Sequence, residues 1–150
     1  MDNIDKKIIN QLQLNARISN EELASRVNLS PSPCLRRVKK LEQKGILQSY
    51  TAVVDQVKCG LAMNIFLNVR LVKADKQNIQ EFEKAISEME EVMECYLMTG
   101  NRDYLLKVVS QDLPSYEHFI RDKLLELKVV SSIESNFAIG QVKAKHVMPI

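Results

Sequence analysis

From Met63 to Val72 apolar and polar residues alternate: Met63, Ile65, Leu67, Val69 and Leu71 point one way, Asn64, Asn68 and Arg70 the other. A helix would smear those apolar residues around its surface, so the run reads as a half-buried strand. Over 75–90 the period changes to that of a helix, with Ile79, Phe82, Ile86 and Met89 on one side. Val92–Met98 reads as a second strand, Thr99-Gly100-Asn101-Arg102 as a turn, and Asp103-Tyr104 opens a third strand that runs through Val109. Pro114 starts another helix carrying Tyr116, Phe119, Ile120, Leu124 and Leu127, and a last strand covers Val130 to about Ile139. The order β-α-β-β-α-β is the ferredoxin-like arrangement. Both helices then cover one face of an antiparallel sheet. Ile65 or Phe66, Leu97, Leu106 and Phe137 are candidates for an apolar open face, which implies another subunit.

The first fifty residues carry a different pattern. Ile4, Ile8 and Leu12 define an amphipathic helix ending near Leu14, and Asn15-Ala16-Arg17 connects it onward. Ser19 and Glu22 have the spacing of a capping box, with Ile18 and Leu23 in the staple positions. The short second helix buries Leu23, Ala24 and Val27. After the turn Asn28-Leu29-Ser30, Ser30 stands as N-cap and Pro31 at the first helical position, with Leu29 and Cys34 as staple. The third helix stops at Gly45, a C′ glycine. Its buried stripe is Cys34 (or Leu35), Val38 and Leu41. Ser32, Arg36, Arg37, Lys39, Lys40 and Gln43 form the opposite face. A tight two-helix unit with a basic second helix has the layout of a helix-turn-helix. The alternative is a solvated lysine-rich face.

Charge separates the two parts. The chain of 150 residues has a net charge of only +2, but residues 1–50 hold nine Lys+Arg against five Asp+Glu. Within 26–44 stand Arg26, Arg36, Arg37, Lys39, Lys40 and Lys44 against the single acid Glu42. That asymmetry points to a polyanion partner for the N-terminal part. Hydrophobic residues at 45% and charged residues at 27% describe a globular chain, not a disordered one. No apolar run approaches the roughly 18 residues of a membrane span, and Met1-Asp2-Asn3 does not open a secretory signal. Cys34, Cys59 and Cys95 are odd in number and widely spaced, which fits packed thiols in a reducing cytoplasm rather than disulfides or zinc ligands.

The expected fold is therefore α+β. Residues 1–50 form a helix-turn-helix DNA-binding domain. Residues 51–62 form a strand or hinge linker, whose apolar start continues from Ile46–Val54 and whose hinge is Asp55–Ala62. Residues 63–150 form the ferredoxin-like domain.

The segments Arg17-Ile18-Ser19-Asn20-Glu21-Glu22-Leu23-Ala24, Leu29-Ser30-Pro31-Ser32-Pro33-Cys34, Arg36-Arg37-Val38-Lys39-Lys40-Leu41-Glu42, Gly45-Ile46 and Tyr50-Thr51-Ala52 resemble the DNA-binding half of the Lrp/AsnC (leucine-responsive, feast/famine) regulators. Thr99-Gly100 followed by Asp103-Tyr104-Leu105-Leu106 resembles the turn of that family's amino-acid-sensing domain. The resemblance covers essentially the whole chain in order. It implies a transcription regulator that binds double-stranded DNA, with a C-terminal domain that senses an amino acid and forms homodimers. Higher assemblies such as octamers are implied too.

On that reading Ser30, Ser32, Pro33, Arg36, Arg37, Lys39 and Lys40 meet DNA: Arg suits guanine edges and phosphates, Lys suits phosphates. In the effector turn Gly100 admits backbone amides to a carboxylate, Thr99 offers a hydroxyl beside Asn101, and Asp103 offers an anion for an ammonium. Leu97, Met98, Tyr104 and Phe137 wall the side-chain pocket, with Ser135 nearby. Taken without the resemblance, the same residues read first as a hairpin turn and strand core. Apolar neighbours lean toward leucine or methionine as effector. No cofactor, metal or membrane partner is expected.

Enzymatic chemistry lacks its residues. His118 and His146 are the only histidines and have no metal-ligand spacing. No Ser-His-Asp motif or glycine-rich phosphate loop is visible. Two other functions are compatible with this architecture: effector-independent chromatin organisation, and the tetrapyrrole decarboxylation that some proteins of the same fold perform. The base-rich third helix argues against the second.

Overall fold

Asp2 and Asp5 start the first helix, α1 (Asn3–Leu14), by capping each other: the Asp5 amide donates to Asp2 Oδ1 at 2.8 Å and the Asp2 amide to Asp5 Oδ2 at 3.1 Å. This reciprocal box lies one helix earlier than the expected one. In the computed structural model, which describes residues 1–150, the chain divides into two units, 1–53 with 142–150, and 54–141.

In the first unit α2 (Asn20–Arg26) keeps only half of its expected box. Ser19 Oγ accepts from the Glu22 amide at 3.1 Å, but the Glu22 carboxylate turns to Arg26, one turn along, at 2.6 Å. A guanidinium is a stronger partner for a carboxylate than a neutral amide. Asn28 adopts φ 57° and ends α2, with the Leu29 amide donating to Ala24 O at 2.9 Å. Helix α3 (Pro31–Gln43) has Ser30 in the N-cap position with extended backbone, but its side chain makes no cap hydrogen bond. The reason is Pro33 at N3, which has no N–H to donate. Gly45 at φ +66° closes α3, with the Ile46 amide donating to Leu41 O at 3.0 Å and the Gly45 amide to Glu42 O at 2.9 Å. That is the Schellman pattern, which uses the left-handed backbone glycine adopts readily.

The core of this unit is Ile8, Ile9, Leu12, Leu23, Ala24, Val27, Cys34 and Leu41, with Ile18, Leu29 and Val38 packed against it. Residues 142–150, which the sequence pattern placed within 63–150, make their contacts with this unit. The Gln13 amide explains the attachment: its Oε1 accepts from the Met148 amide at 2.7 Å and its Nε2 donates to Met148 O at 3.3 Å. A side-chain amide offers donor and acceptor side by side, as a neighbouring strand does. Asn10 Nδ2 adds a bond to Ile150 O at 3.3 Å.

The linker contains no strand. Val53 and Val54 lie exposed, and 55–61 forms a turn in which the Cys59 amide donates to Asp55 O at 3.1 Å and Gln56 Nε2 to Leu61 O at 2.7 Å. β-prone residues need a partner backbone to become a strand, and no neighbouring strand accompanies this stretch.

The second unit is β1 (Met63–Leu71), α4 (Lys76–Ser87), β2 (Val92–Leu97), β3 (Tyr104–Ser110), α5 (Leu113–Phe119) with a wider π turn over Ile120–Leu124, and β4 (Val130–Phe137). The sheet order is β2-β3-β1-β4 with antiparallel neighbours. Ile65, Leu67 and Val69 stand opposite Val108, Leu106 and Tyr104, and all six meet Phe82 and Ile86 of α4 and Tyr116 and Phe119 of α5 in one core. The Leu125 amide donates to Ile120 O at 2.8 Å, an i→i+5 bond that widens the turn and lets Phe119 and Leu124 share the buried side.

The open face differs from its expected composition. Ile65 and Leu106 are core. Leu97 pairs across from Tyr104 and Phe137 across from Ile65, so both lie on the helix side and are exposed because they sit on the outer strands. Phe66 and Tyr96 are the exposed apolar residues of the open face, where Leu105 is half-buried beside them and Val109 is buried. Cys59 and Cys95 are exposed, one on the linker turn and one on the edge strand β2, where no layer covers them.

Candidate nucleic-acid interface and effector site

Helix α3 turns about 100° per residue, so residues next to the buried stripe can fall on either side of it. Cys34 and Leu41 are buried and Val38 packs with them. Arg36, Lys39 and Lys40 are exposed on the far side, with Ser32 and Gln43. Ser30 is exposed at the helix start and Pro33 is half-buried beside it. The ion pairs of this unit involve only Arg26 and Arg37, which leaves the charges of Arg36, Lys39 and Lys40 uncompensated. Glu42, the one acid in the stretch, accepts a hydrogen bond from the Tyr50 hydroxyl at 2.8 Å.

Arg37 departs from the expected face. Its Nη1 donates to Asp2 Oδ2 at 2.8 Å and to Asp5 Oδ1 at 2.7 Å, so it faces α1. The backbone bond from the Asp5 amide, reinforced by Arg37, holds the Asp2 carboxyl below its ordinary range. Burial raises that of Asp5, but the bonds from the Asp2 amide and Arg37 outweigh it and the net direction is down. Leu35 takes the outward position instead, at 43% exposure. An open groove on this face is lined by Ser32, Leu35, Arg36, Lys39, Lys40 and Gln43.

The expected effector residues do not form one pocket. Thr99, Gly100 and Asn101 are exposed at the β2–β3 turn beside Met98, and Gly100 adopts φ +111°. The Met98 amide donates to Asp103 O at 2.8 Å and closes the hairpin. Asp103 is already occupied: its Oδ2 accepts from the Leu71 amide at 2.7 Å and anchors the end of β1. Tyr104 is buried, its ring 4.5 Å from that of Phe82 and its hydroxyl donating to Glu83 Oε1 at 2.9 Å. Burial and that carboxylate push its phenol well up. Leu97 lines a shallow groove with Glu83, Ile86, Cys95 and Tyr104.

Ser135 and Phe137 lie on β4, the opposite edge of the sheet. Ser135 Oγ is 2.5 Å from the Tyr116 hydroxyl, and the Phe137 ring meets Tyr116 edge-on at 5.2 Å. Three strand spacings, about 14 Å, separate the two edges. Arg102, not among the expected site residues, reaches Glu134 of β4 at 2.9 Å. Their separation of 32 residues in sequence left no local signal. His118 is exposed and pairs with Asp122.

Residues 1–48 match the winged helix-turn-helix DNA-binding family, and residues 64–148 match the Lrp/AsnC ligand binding domain. The chain belongs to the Lrp/AsnC family. Like its relatives, this Lrp/AsnC protein is a transcription regulator with a DNA-binding and a ligand-binding domain. It is 35% identical to the transcriptional regulator AzlB of Bacillus subtilis over all of this chain and 96% of that protein. It is 37% identical to the leucine-responsive regulatory protein of Escherichia coli over 95% of this chain and 87% of that one. Among solved structures, a Neisseria meningitidis transcriptional regulator in complex with L-Met superposes with a TM-score of 0.94 at 36% identity, covering 99% of this chain and 96% of that one. Escherichia coli AsnC superposes at 0.89 with 26% identity, covering 97% and 96%. No helix of the Lrp/AsnC chain is long and apolar enough to cross a membrane.

Proposed function

We propose that this protein is a sequence-specific regulator of amino-acid metabolism genes that lays α3 in the DNA major groove and responds to an amino acid bound between subunits. The carrying observation is the outer face of α3, where Arg36, Lys39 and Lys40 stand exposed with no acidic partner. Ser30 and Ser32 add hydroxyls at the helix start beside Pro33, and the Ser30 hydroxyl is not used as a cap. Side chains near the start of a recognition helix meet base edges and phosphates. Arg37 is left out of this contact set because Asp2 and Asp5 hold it.

The working unit is a homodimer that assembles further, as far as an octamer, and acts in the cytoplasm. The effector is methionine or leucine. The L-Met complex of the Neisseria meningitidis relative and the apolar residues at the β2–β3 turn support that choice. Gly100, Thr99 and Asn101 receive the effector's polar end, with Leu97, Met98 and Tyr104 beside them. Ser135 and Phe137, at the far edge of the sheet, complete the pocket from another copy. An effector that prefers one assembly by about 1–3 kcal/mol changes DNA occupancy severalfold or more.

The test is a titration of the gene's own upstream duplex against a scrambled duplex at matched salt, repeated with leucine and with methionine. Tighter, salt-sensitive binding to the upstream duplex that shifts with one amino acid is expected. Equal affinity for both duplexes, unmoved by either amino acid, overturns the reading in favour of a general DNA-coating role.

A further inference from the structure

Leu35 is the one apolar side chain in the groove on the outer face of α3, surrounded by Ser32, Arg36, Lys39, Lys40 and Gln43. It is 43% exposed, and the buried stripe of the helix is complete without it in Cys34, Val38 and Leu41. It lies one helical turn after Ser32 and one before Lys39, so it shares their side of the helix. It also falls in the first half of α3, the part of a recognition helix that reaches bases rather than backbone.

The chemistry of the groove narrows what such a side chain can meet. Leucine has no donor or acceptor. Against guanine N7 and O6, adenine N7 and N6 or cytosine N4 it would strip water from polar atoms and return nothing. The thymine C5-methyl is the apolar feature of the major groove and the surface leucine can cover with a gain. The start of α3 strengthens the argument. Pro31 and Pro33 remove two of its backbone N–H groups, so this turn offers side chains rather than a row of amides. Flanking Arg36 and Lys39 bring the phosphates close and press the helix into the groove.

We propose that Leu35 is a specificity-determining residue that packs on a thymine methyl in each half-site. This rests on the reading of α3 as the recognition helix, and the experiment separates the two. A duplex is selected from a random library with the wild-type protein. Each thymine in turn is then replaced by deoxyuridine, which lacks only the methyl. Affinity is measured by anisotropy at fixed salt for wild type, Leu35→Ala and Leu35→Met.

Wild type is expected to lose about fourfold at one thymine per half-site, the value of one buried methyl. Leu35→Ala should bind the thymine duplex more weakly and no longer distinguish thymine from deoxyuridine there, while Leu35→Met retains the distinction. Wild type indifferent to every methyl overturns the proposal, even if Leu35→Ala fails to fold. So does Leu35→Ala with undiminished thymine preference. Failure of wild type to prefer the selected duplex over a scrambled one overturns the recognition-helix reading, and this proposal with it.

Discussion

The outer face of α3 and the turn between β2 and β3 are built on opposite terms. On α3 the candidate side chains are free: Arg36, Lys39 and Lys40 are exposed and uncompensated in a single chain. Among the effector candidates, at the turn and on β4, several already have partners within their own chain. Asp103 binds the Leu71 amide, Tyr104 binds Glu83, and Ser135 binds Tyr116. DNA is a long partner that meets a convex, charged helix, so each chain by itself can present the face for one half-site. A small amino acid needs a concave site that surrounds it. One sheet with its candidate residues on opposite edges does not gather them around one ligand, which is why the proposed pocket takes its other wall from a second copy.

That contrast can be broken at its strongest point by Phe82→Ala. Phe82 is fully buried against Tyr104, and the substitution should cost about 3–5 kcal/mol of stability in the second unit. Urea unfolding followed by circular dichroism should show that loss together with loss of the amino-acid response. A stability loss below 1 kcal/mol would mean that the core does not hold the turn (about 1 kcal/mol being an ordinary surface effect). Arg36→Ala comes next and should weaken specific DNA binding by about 1–3 kcal/mol without altering the unfolding curve. If Arg36 touches only phosphate, the loss is the same for all sequences and the salt slope falls by about 1.

A smaller effect is expected from Gly100→Val. A Cβ at this position meets nothing within 4 Å, so the substitution acts through backbone strain at φ +111°, about 1–3 kcal/mol, and not through a clash. Calorimetry should show weakened leucine or methionine binding, with effector-free DNA affinity retained. Unchanged amino-acid affinity would remove the turn from the effector site. The smallest effect concerns Arg37. The Asp2 and Asp5 carboxyls are lowered in the folded chain, so their contribution is present above the ordinary value of 3.8 and lost as pH falls below it. Acid unfolding of Arg37→Ala should lose less stability in that window than wild type does. Its DNA affinity should fall less than that of Arg36→Ala; an equal fall would place Arg37 back on the DNA.

Much of the fold was legible because its signals are local. The alternation over Met63–Leu71, the helical period over Ile79, Phe82 and Ile86, and the Gly45 stop each lie within a few residues. The Ser19–Glu22 box was half right because Arg26, one turn away, competes for the same carboxylate. On the candidate sites, Arg36, Lys39 and Lys40 were legible from helical spacing, while Arg37 and Leu35 were not. Both stand next to the buried stripe, and at about 100° per residue the spacing does not decide which of them turns inward.

By itself the sequence determined the two periodicities, the caps and stops, the concentration of base on one helix, and with them the family. All of these follow from the rotation of the backbone and from neighbours within a turn or two. Tertiary structure alone decided that Asp2 and Asp5 draw Arg37 away and leave Leu35 outward, that Gln13 binds residues at the far end of the chain, and that the expected effector residues part to opposite edges of the sheet. Each of these outcomes rests on a contact between groups more than thirty residues apart, or on a strand order, and a pattern read along the chain contains neither.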